Sequence, residues 1–271
     1  MPELPEVETS RRGIEPHLLN KTIKNIEIRQ HKLRWPIPEN LPTLASGQKI
    51  REVDRRAKYI ILKLDNGNII IHLGMSGSLR ICTKKTAPEK HDHIDITVSN
   101  DKILRLRDPR KFGCVLWEAS DINEHKLIKP LGPEPLREEF HAEYLHKKAG
   151  GRQCSIKTLI MNSHIVVGVG NIYASEALFR AGINPKCKAG KISLARIQRL
   201  IDAIKLTLDL AIKEGGTTLR DFTGISGQPG YFAQKLLVYG RTDEPCIQCG
   251  KPIKQFTQQA RSTFYCTHCQ K

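Results

Sequence analysis

Nowhere does the sequence assemble the roughly 18 consecutive apolar residues that a membrane-spanning helix requires. Its opening, Met1-Pro2-Glu3-Leu4-Pro5-Glu6-Val7-Glu8, also lacks the apolar stretch and small-residue cleavage site of a secretory signal. A soluble, cytoplasmic chain with reduced cysteines is therefore expected. Acidic charge is scarce: 28 Asp and Glu stand against 44 Lys and Arg, for a net charge of +16. Solubility needs less than this. The basic residues are spread through folded-looking sequence instead of forming one juxtamembrane block, which favours nucleic acid over a lipid surface as the partner. A merely basic surface is the bland alternative.

What is present begins with eight cysteines in two populations. Cys82, Cys114, Cys154 and Cys187 are scattered, whereas Cys246-x-x-Cys249 and Cys266-x-x-Cys269 form two close pairs separated by sixteen residues. Each pair has the spacing that lets a β-turn knuckle offer both sulfurs to one tetrahedral ion, and the tail around them has too little apolar material to fold without a metal. A four-cysteine zinc ribbon with one structural Zn²⁺ follows; four thiolates leave no open coordination position for chemistry. The stretch between the knuckles reads as an exposed hairpin. Its Arg261 is either a solvated surface residue or a phosphate contact.

Apolar spacing predicts an amphipathic helix from Pro5 to about Leu19, then strands at 22–29, 49–54, 58–64, 68–73, 78–81, 93–98, 102–107 and 113–118. So many short, closely spaced strands suggest an antiparallel sandwich or barrel. The run Lys129-Pro130-Leu131-Gly132-Pro133-Glu134-Pro135 interrupts regular structure, and beyond it helices are expected at 138–148, 155–161, 172–181 and 193–213. The expected class is α+β, with a β-sandwich catalytic domain at 1–132, a helical domain at 133–240 and the zinc ribbon at 241–271.

If Met1 is removed, the chain starts with a secondary amine at Pro2. An α-amino group titrates near pH 8 and a lysine near 10.4, so at neutral pH far more of the terminal amine is an uncharged nucleophile. Attack on a sugar C1′ gives an iminium with no N–H to lose, which persists as an electron sink and acidifies the C2′ hydrogens. Strand cleavage by β-elimination follows, with Glu3 and Glu6 as candidate acid/base groups. The same residues also read as an ordinary capped helix start.

From Pro2-Glu3-Leu4-Pro5-Glu6-Val7-Glu8-Thr9 to the terminal cysteines, the chain resembles the formamidopyrimidine-DNA glycosylase family. Further matching stretches are Arg56-Ala57-Lys58-Tyr59, Ile71-His72-Leu73-Gly74-Met75-Ser76-Gly77, Asp108-Pro109-Arg110-Lys111-Phe112-Gly113 and Gly168-Val169-Gly170-Asn171-Ile172-Tyr173-Ala174. The resemblance implies that Pro2 is the Schiff-base nucleophile, Glu3 its acid/base partner and Lys58 a catalytic cation, with Arg261 completing the site beside His72 and Asn171 at the DNA backbone. It further implies that Met75, Arg110 and Phe112 fill the gap left by an extruded nucleotide, the guanidinium reading the orphaned cytosine. Lys157 matches a lysine that the family places beside the lesion. By residue type alone, Lys58 reads as a solvent-facing lysine at a strand end, His72 as a core histidine, and Met75 and Phe112 as core packing.

Gly168-Val169-Gly170-Asn171-Ile172-Tyr173 is no dinucleotide fingerprint, because Tyr173 takes the third glycine position and no βαβ unit surrounds it. In the resembled family it is the turn of a helix–two-turn–helix element, presenting backbone N–H groups to phosphate. Residues 217–231 match a loop that covers the lesion and are expected to be mobile without DNA. One departure stands out: Asn162 occupies a position where an acidic residue is expected. The implied activity is excision of 8-oxoguanine and formamidopyrimidines by a monomer, followed by β,δ-elimination. The rivals are an endonuclease VIII-like enzyme acting on oxidised pyrimidines and a non-catalytic binder of damaged DNA. Leu4 and the Met75, Arg110 and Phe112 set favour the purine enzyme.

Overall fold

In the computed structural model, which describes residues 2–216 and 232–271, the N-terminal segment forms α1 (Leu4–Leu18). Its Val7, Ile14 and Leu18 are buried on one face, as helical spacing requires. Next come β1 (Ile23–Ile28), a short α2 (Leu41–Ala45), β2 (Glu52–Arg56), β3 (Tyr59–Lys63), β4 (Asn68–His72), β5 (Ser78–Thr83), β6 (Asp92–Val98), β7 (Lys102–Arg107) and β8 (Cys114–Glu118). The strands make two antiparallel four-stranded sheets, ordered β1-β6-β7-β5 and β2-β3-β4-β8. One apolar cluster joins residues of both sheets, among them Ile26, Ile60, Ile71, Ile94 and Leu106, to Val7, Ile14 and Leu18 of α1.

The outer face of β6 carries charge and is nevertheless buried. Arg105 of β7 grips Asp95 with Nε at 2.8 Å and Nη2 at 2.7 Å, and its Nη1 donates to the Thr86 and Ala87 carbonyls. Arg29 closes on the same carboxylate. A buried charge held this way has its partners supplied by the fold.

Three expectations need adjusting. The α2 turn is additional. Lys58 lies in the two-residue turn between β2 and β3, where the left-handed Ala57 (φ 54°) ends the pairing, and so is not the first residue of a strand. The first long helix of the second half starts later, as α3 (Ala142–Ala149), because the His141 side chain caps the Tyr144 amide.

Contact density separates Met1–Lys129 with Glu214–Tyr231 from Pro130–Lys213 with Phe232–Lys271. The second unit contains α3, α4 (Ile156–Ile160), α5 (Asn171–Arg180), α6 (Leu194–Lys213) and the hairpin β9 (Lys254–Gln258) and β10 (Arg261–Tyr265). On α6, Ile197, Leu200, Ile201, Ile204 and Leu208 are buried in a cluster that includes Tyr173 and Leu178 of α5. The segment leading into the ribbon is fastened to α5 by Glu176, whose buried carboxylate accepts the backbone amides of Leu237, Val238 and Tyr239 at 2.8, 3.0 and 2.9 Å. Among the described residues, no helix is long and apolar enough to cross a membrane. The expected lesion-covering segment, 217–231, lies outside the described residues.

Candidate functional site

At the head of α1, Pro2 is buried and Glu3, 4% exposed, is the N-cap. The Glu6 carboxylate returns to accept the Glu3 amide at 2.8 Å, one arm of a capping box, which fixes the backbone that carries both Pro2 and Glu3. Further along the helix, Glu8 accepts Arg11, Arg12 and Arg55. Burial acts to raise the Glu8 pKa, but the hydrogen bonds from these arginines outweigh it and hold the carboxyl below its ordinary value.

Arg55 connects this helix to the Lys58 turn. Its Nε donates to Glu8 at 3.0 Å and its Nη1 to the Ala57 carbonyl at 2.8 Å, so the residue before Lys58 is tied to α1. Across the sheet, Tyr59 pairs in register with His72, their ring centroids 4.9 Å apart. His72 Nδ1 accepts the Gly74 amide at 2.9 Å, which leaves the ring proton on Nε2. Burial, then the charges of Lys58 and Arg34, push the His72 pKa down to about 4. At neutral pH His72 is thus an uncharged donor beside a cationic lysine, a pairing suited to a phosphate.

Two turns next to His72 carry the remaining residues of this unit. Met75 is 37% and Phe112 44% exposed, which overturns the core reading of both by residue type. Arg110 is also exposed and lies 5.1 Å over the Phe112 ring. The bases of the turns are pressed together. Gly74 has φ +62°, and a Cβ there would stand 2.4 Å from the Phe112 carbonyl carbon, so only glycine allows the approach.

In the second unit, Lys157 is 2% exposed. Its Nζ donates to Asn171 Oδ1 at 2.6 Å, Thr263 Oγ1 at 2.7 Å and the Ser262 carbonyl at 3.4 Å. Asn171, the first residue of α5, donates in turn to Ser262 O at 2.9 Å. The lysine thereby joins the Gly170–Asn171 turn to the ribbon hairpin. The two-residue hairpin loop is Gln259 (φ 48°) and Ala260 (φ 57°), the double left-handed turn that matches strand twist, and exposed Arg261 follows it. Lys157, Thr158, Asn162, Gln258 and Arg261 line a cavity of about 370 Å³. Asn162, the residue where acid is expected, accepts the His164 amide at 3.0 Å as an aspartate would, while placing no negative charge in this basic cavity.

The four ribbon cysteines present sulfurs that all lie within 4.8 Å of one another, with Cys246 to Cys269 at 3.9 Å and Cys249 to Cys266 at 3.5 Å. A tetrahedron with Zn–S bonds of about 2.3 Å has edges of about 3.8 Å, so the set fits zinc. The Gln248 and Cys269 amides point at the Cys246 and Cys266 sulfurs at 3.5 Å, as the knuckle turns require for thiolates.

Comparisons with known proteins agree in extent. The family model for the formamidopyrimidine-DNA glycosylase N-terminal domain matches residues 1–115, the corresponding H2TH domain 131–223, and the zinc finger found in FPG and IleRS 243–271. A formamidopyrimidine-DNA glycosylase of Shigella dysenteriae is 55% identical over 271 residues, covering 100% of both chains. Lactococcus lactis Fpg in complex with DNA containing an abasic site superposes with a TM-score of 0.92 at 34% identity, covering 100% of each chain. A MutM in complex with DNA containing carbocyclic 8-oxo-G superposes with a TM-score of 0.91 at 35% identity, again over 100% of both.

Proposed function

The chain belongs to the formamidopyrimidine-DNA glycosylase family, and from that membership we propose that it is a bifunctional DNA glycosylase and AP lyase of base-excision repair, removing 8-oxoguanine and formamidopyrimidines from duplex DNA. The observation that carries this reading is the match over all 271 residues, in which a buried N-terminal proline and carboxylate share one unit with a lysine and a neutral histidine.

In this reading Met1 is removed and Pro2 attacks the C1′ of an extruded nucleotide. Glu3 exchanges protons with the sugar and departing base, and the base leaves with the glycosidic electron pair. The iminium on Pro2 then draws electrons from C2′, the 3′-phosphate departs in β-elimination, and δ-elimination expels the 5′-phosphate. Lys58 offsets the charge of the reacting strand, and His72, Asn171 and Arg261 hold its phosphates. Met75, Arg110 and Phe112 occupy the vacated stack. Lys157 acts through Asn171 and the hairpin. The zinc held by Cys246, Cys249, Cys266 and Cys269 maintains the ribbon and leaves chemistry to the N-terminal half.

Functionally the chain divides into a catalytic module at 1–132, a DNA-binding module at 133–240 and the ribbon at 241–271, working as a cytoplasmic, nucleoid-associated monomer. Borohydride trapping with an 8-oxoguanine:cytosine duplex, followed by peptide mass spectrometry, tests the proposal. A covalent adduct on Pro2 is expected. Tight DNA binding without any adduct would reduce the protein to a damage binder, and trapping only with thymine glycol would move it to the oxidised-pyrimidine class.

A further inference from the structure

The three side chains read as filling the DNA gap come from separate turns, and one buried group fastens both. Asp108, with no solvent exposure, follows β7. Its Oδ1 accepts Ser76 Oγ at 2.9 Å and the Arg110 amide at 3.3 Å, while Oδ2 accepts the Gly113 amide at 2.7 Å. Ser76 adjoins Met75, Gly113 adjoins Phe112, and Arg110 is held by its own backbone. Ser76 Oγ also accepts the Arg110 amide at 3.2 Å, which closes the link between the turns. The main chain of Asp108 is anchored as well: its carbonyl meets His93 Nε2 at 2.9 Å and its amide donates to the His91 carbonyl at 3.0 Å.

We propose that Asp108 is a specificity-positioning residue, whose carboxylate sets the relative placement of Met75, Arg110 and Phe112 and thereby the discrimination of the base opposite the lesion. The inference rests on the gap-filling reading of those three residues. A wedge that enters a base stack must keep its shape against the cost of unstacking, and exposed side chains do so only when their backbone is fixed beforehand. A guanidinium that tells cytosine from adenine by hydrogen-bond geometry is the most sensitive of the three to displacement. Asparagine at 108 retains the shape and one acceptor, but turns an NH2 towards either the Arg110 or the Gly113 N–H, so the turn carrying Arg110 and Phe112 loses one of its amide contacts.

The test uses the full-length protein and four measurements: thermal melting, cleavage of a single-stranded abasic oligonucleotide, and excision of 8-oxoguanine opposite cytosine and opposite adenine. Asp108→Asn is expected to keep single-strand cleavage within about twofold while excision opposite cytosine falls about tenfold, the scale of one charge-assisted hydrogen bond. Its preference for cytosine over adenine then approaches parity. Ser76→Ala withdraws one hydroxyl, the donor to Asp108 and an acceptor of the Arg110 amide, while leaving the carboxylate in place, and changes the preference in the same direction by less; it decides the matter should Asp108→Asn fail to fold. Arg110→Ala is run alongside. Loss of preference in Arg110→Ala with full retention in Asp108→Asn and Ser76→Ala overturns the role of Asp108, as does an equal fall in single-strand and duplex activity. Retained preference in Arg110→Ala overturns the gap-filling reading itself, and the inference falls with it.

Discussion

The ammonium of Lys157 donates to the side-chain oxygen of Asn171 at 2.6 Å, making a buried lysine the link between a helix N-terminus and the zinc-ribbon hairpin. With its oxygen taken by Lys157, the Asn171 amide group is set in orientation, its nitrogen donating to Ser262. The relation gives a charged side chain a structural task inside a site where contact with DNA was the expectation.

Lys157→Met tests that task. Removing the ammonium withdraws a charged donor from the Asn171 and Thr263 oxygens, at a cost of about 2 kcal/mol in stability. Binding to a duplex containing an abasic-site analogue is expected to weaken by about tenfold through misplacement of Asn171. Urea unfolding and fluorescence anisotropy measure the two effects; unchanged affinity in a folded variant contradicts the prediction.

Gly74→Ala introduces a Cβ 2.4 Å from the Phe112 carbonyl carbon at a residue with φ +62°. The left-handed backbone and the clash together are expected to cost about 2–4 kcal/mol. Chemical denaturation of purified variant and parent gives the value, and a loss below about 1 kcal/mol, the scale of an ordinary surface change, contradicts the close approach of the turns.

His72 gives a pH signature. The unfolded side chain takes its proton near pH 6.5, whereas burial and the Lys58 and Arg34 charges delay protonation in the folded protein to about pH 4. Between these values the unfolded chain binds more protons. The His72 contribution is therefore intact above about pH 6.5 and is lost as pH falls towards 4, with an upper bound of about 3 kcal/mol. The imidazole Cε1–H resonance, assigned with His72→Gln, should titrate near pH 4; a midpoint near 6.5 excludes the neutral-donor assignment.

Zinc removal should act on structure first. One equivalent of zinc is expected per chain, released by a thiol-blocking mercurial, with loss of the β9–β10 hairpin's amide protection and of DNA binding together. Cys249→Ala should behave alike. Hydrogen exchange that stays unchanged in the hairpin after complete metal release contradicts a folding role for the ion.

Much of the architecture was legible from spacing. Eight strands and the long α6 were marked by apolar periodicity and turn residues, and the ribbon by its paired Cys-x-x-Cys motifs. The five-residue α2 was not, because it is too short to show a helical period. The helix expected from Glu138 starts only at Ala142, its start set by the His141 side chain, a cap residue that composition does not signal. By residue type alone Met75 and Phe112 read as core packing, whereas the family resemblance assigned them to the DNA gap; in the structure their turns leave both exposed. Asp108 was noted only within a matching stretch and Arg55 and Glu176 not at all: each is a charged side chain with partners distant in sequence or supplied by backbone amides.

The sequence by itself determined the elements whose signals are local: period, turn chemistry and the thiolate spacing. Tertiary structure alone decided which way His72 holds its proton, that Lys157 is buried against Asn171 and Thr263, and that one carboxylate fastens two turns. The physical reason is range. Helix and strand propensities are settled by residues a few positions apart, whereas burial, hydrogen-bond geometry and the pKa of a side chain depend on groups that only folding brings within about 3 Å.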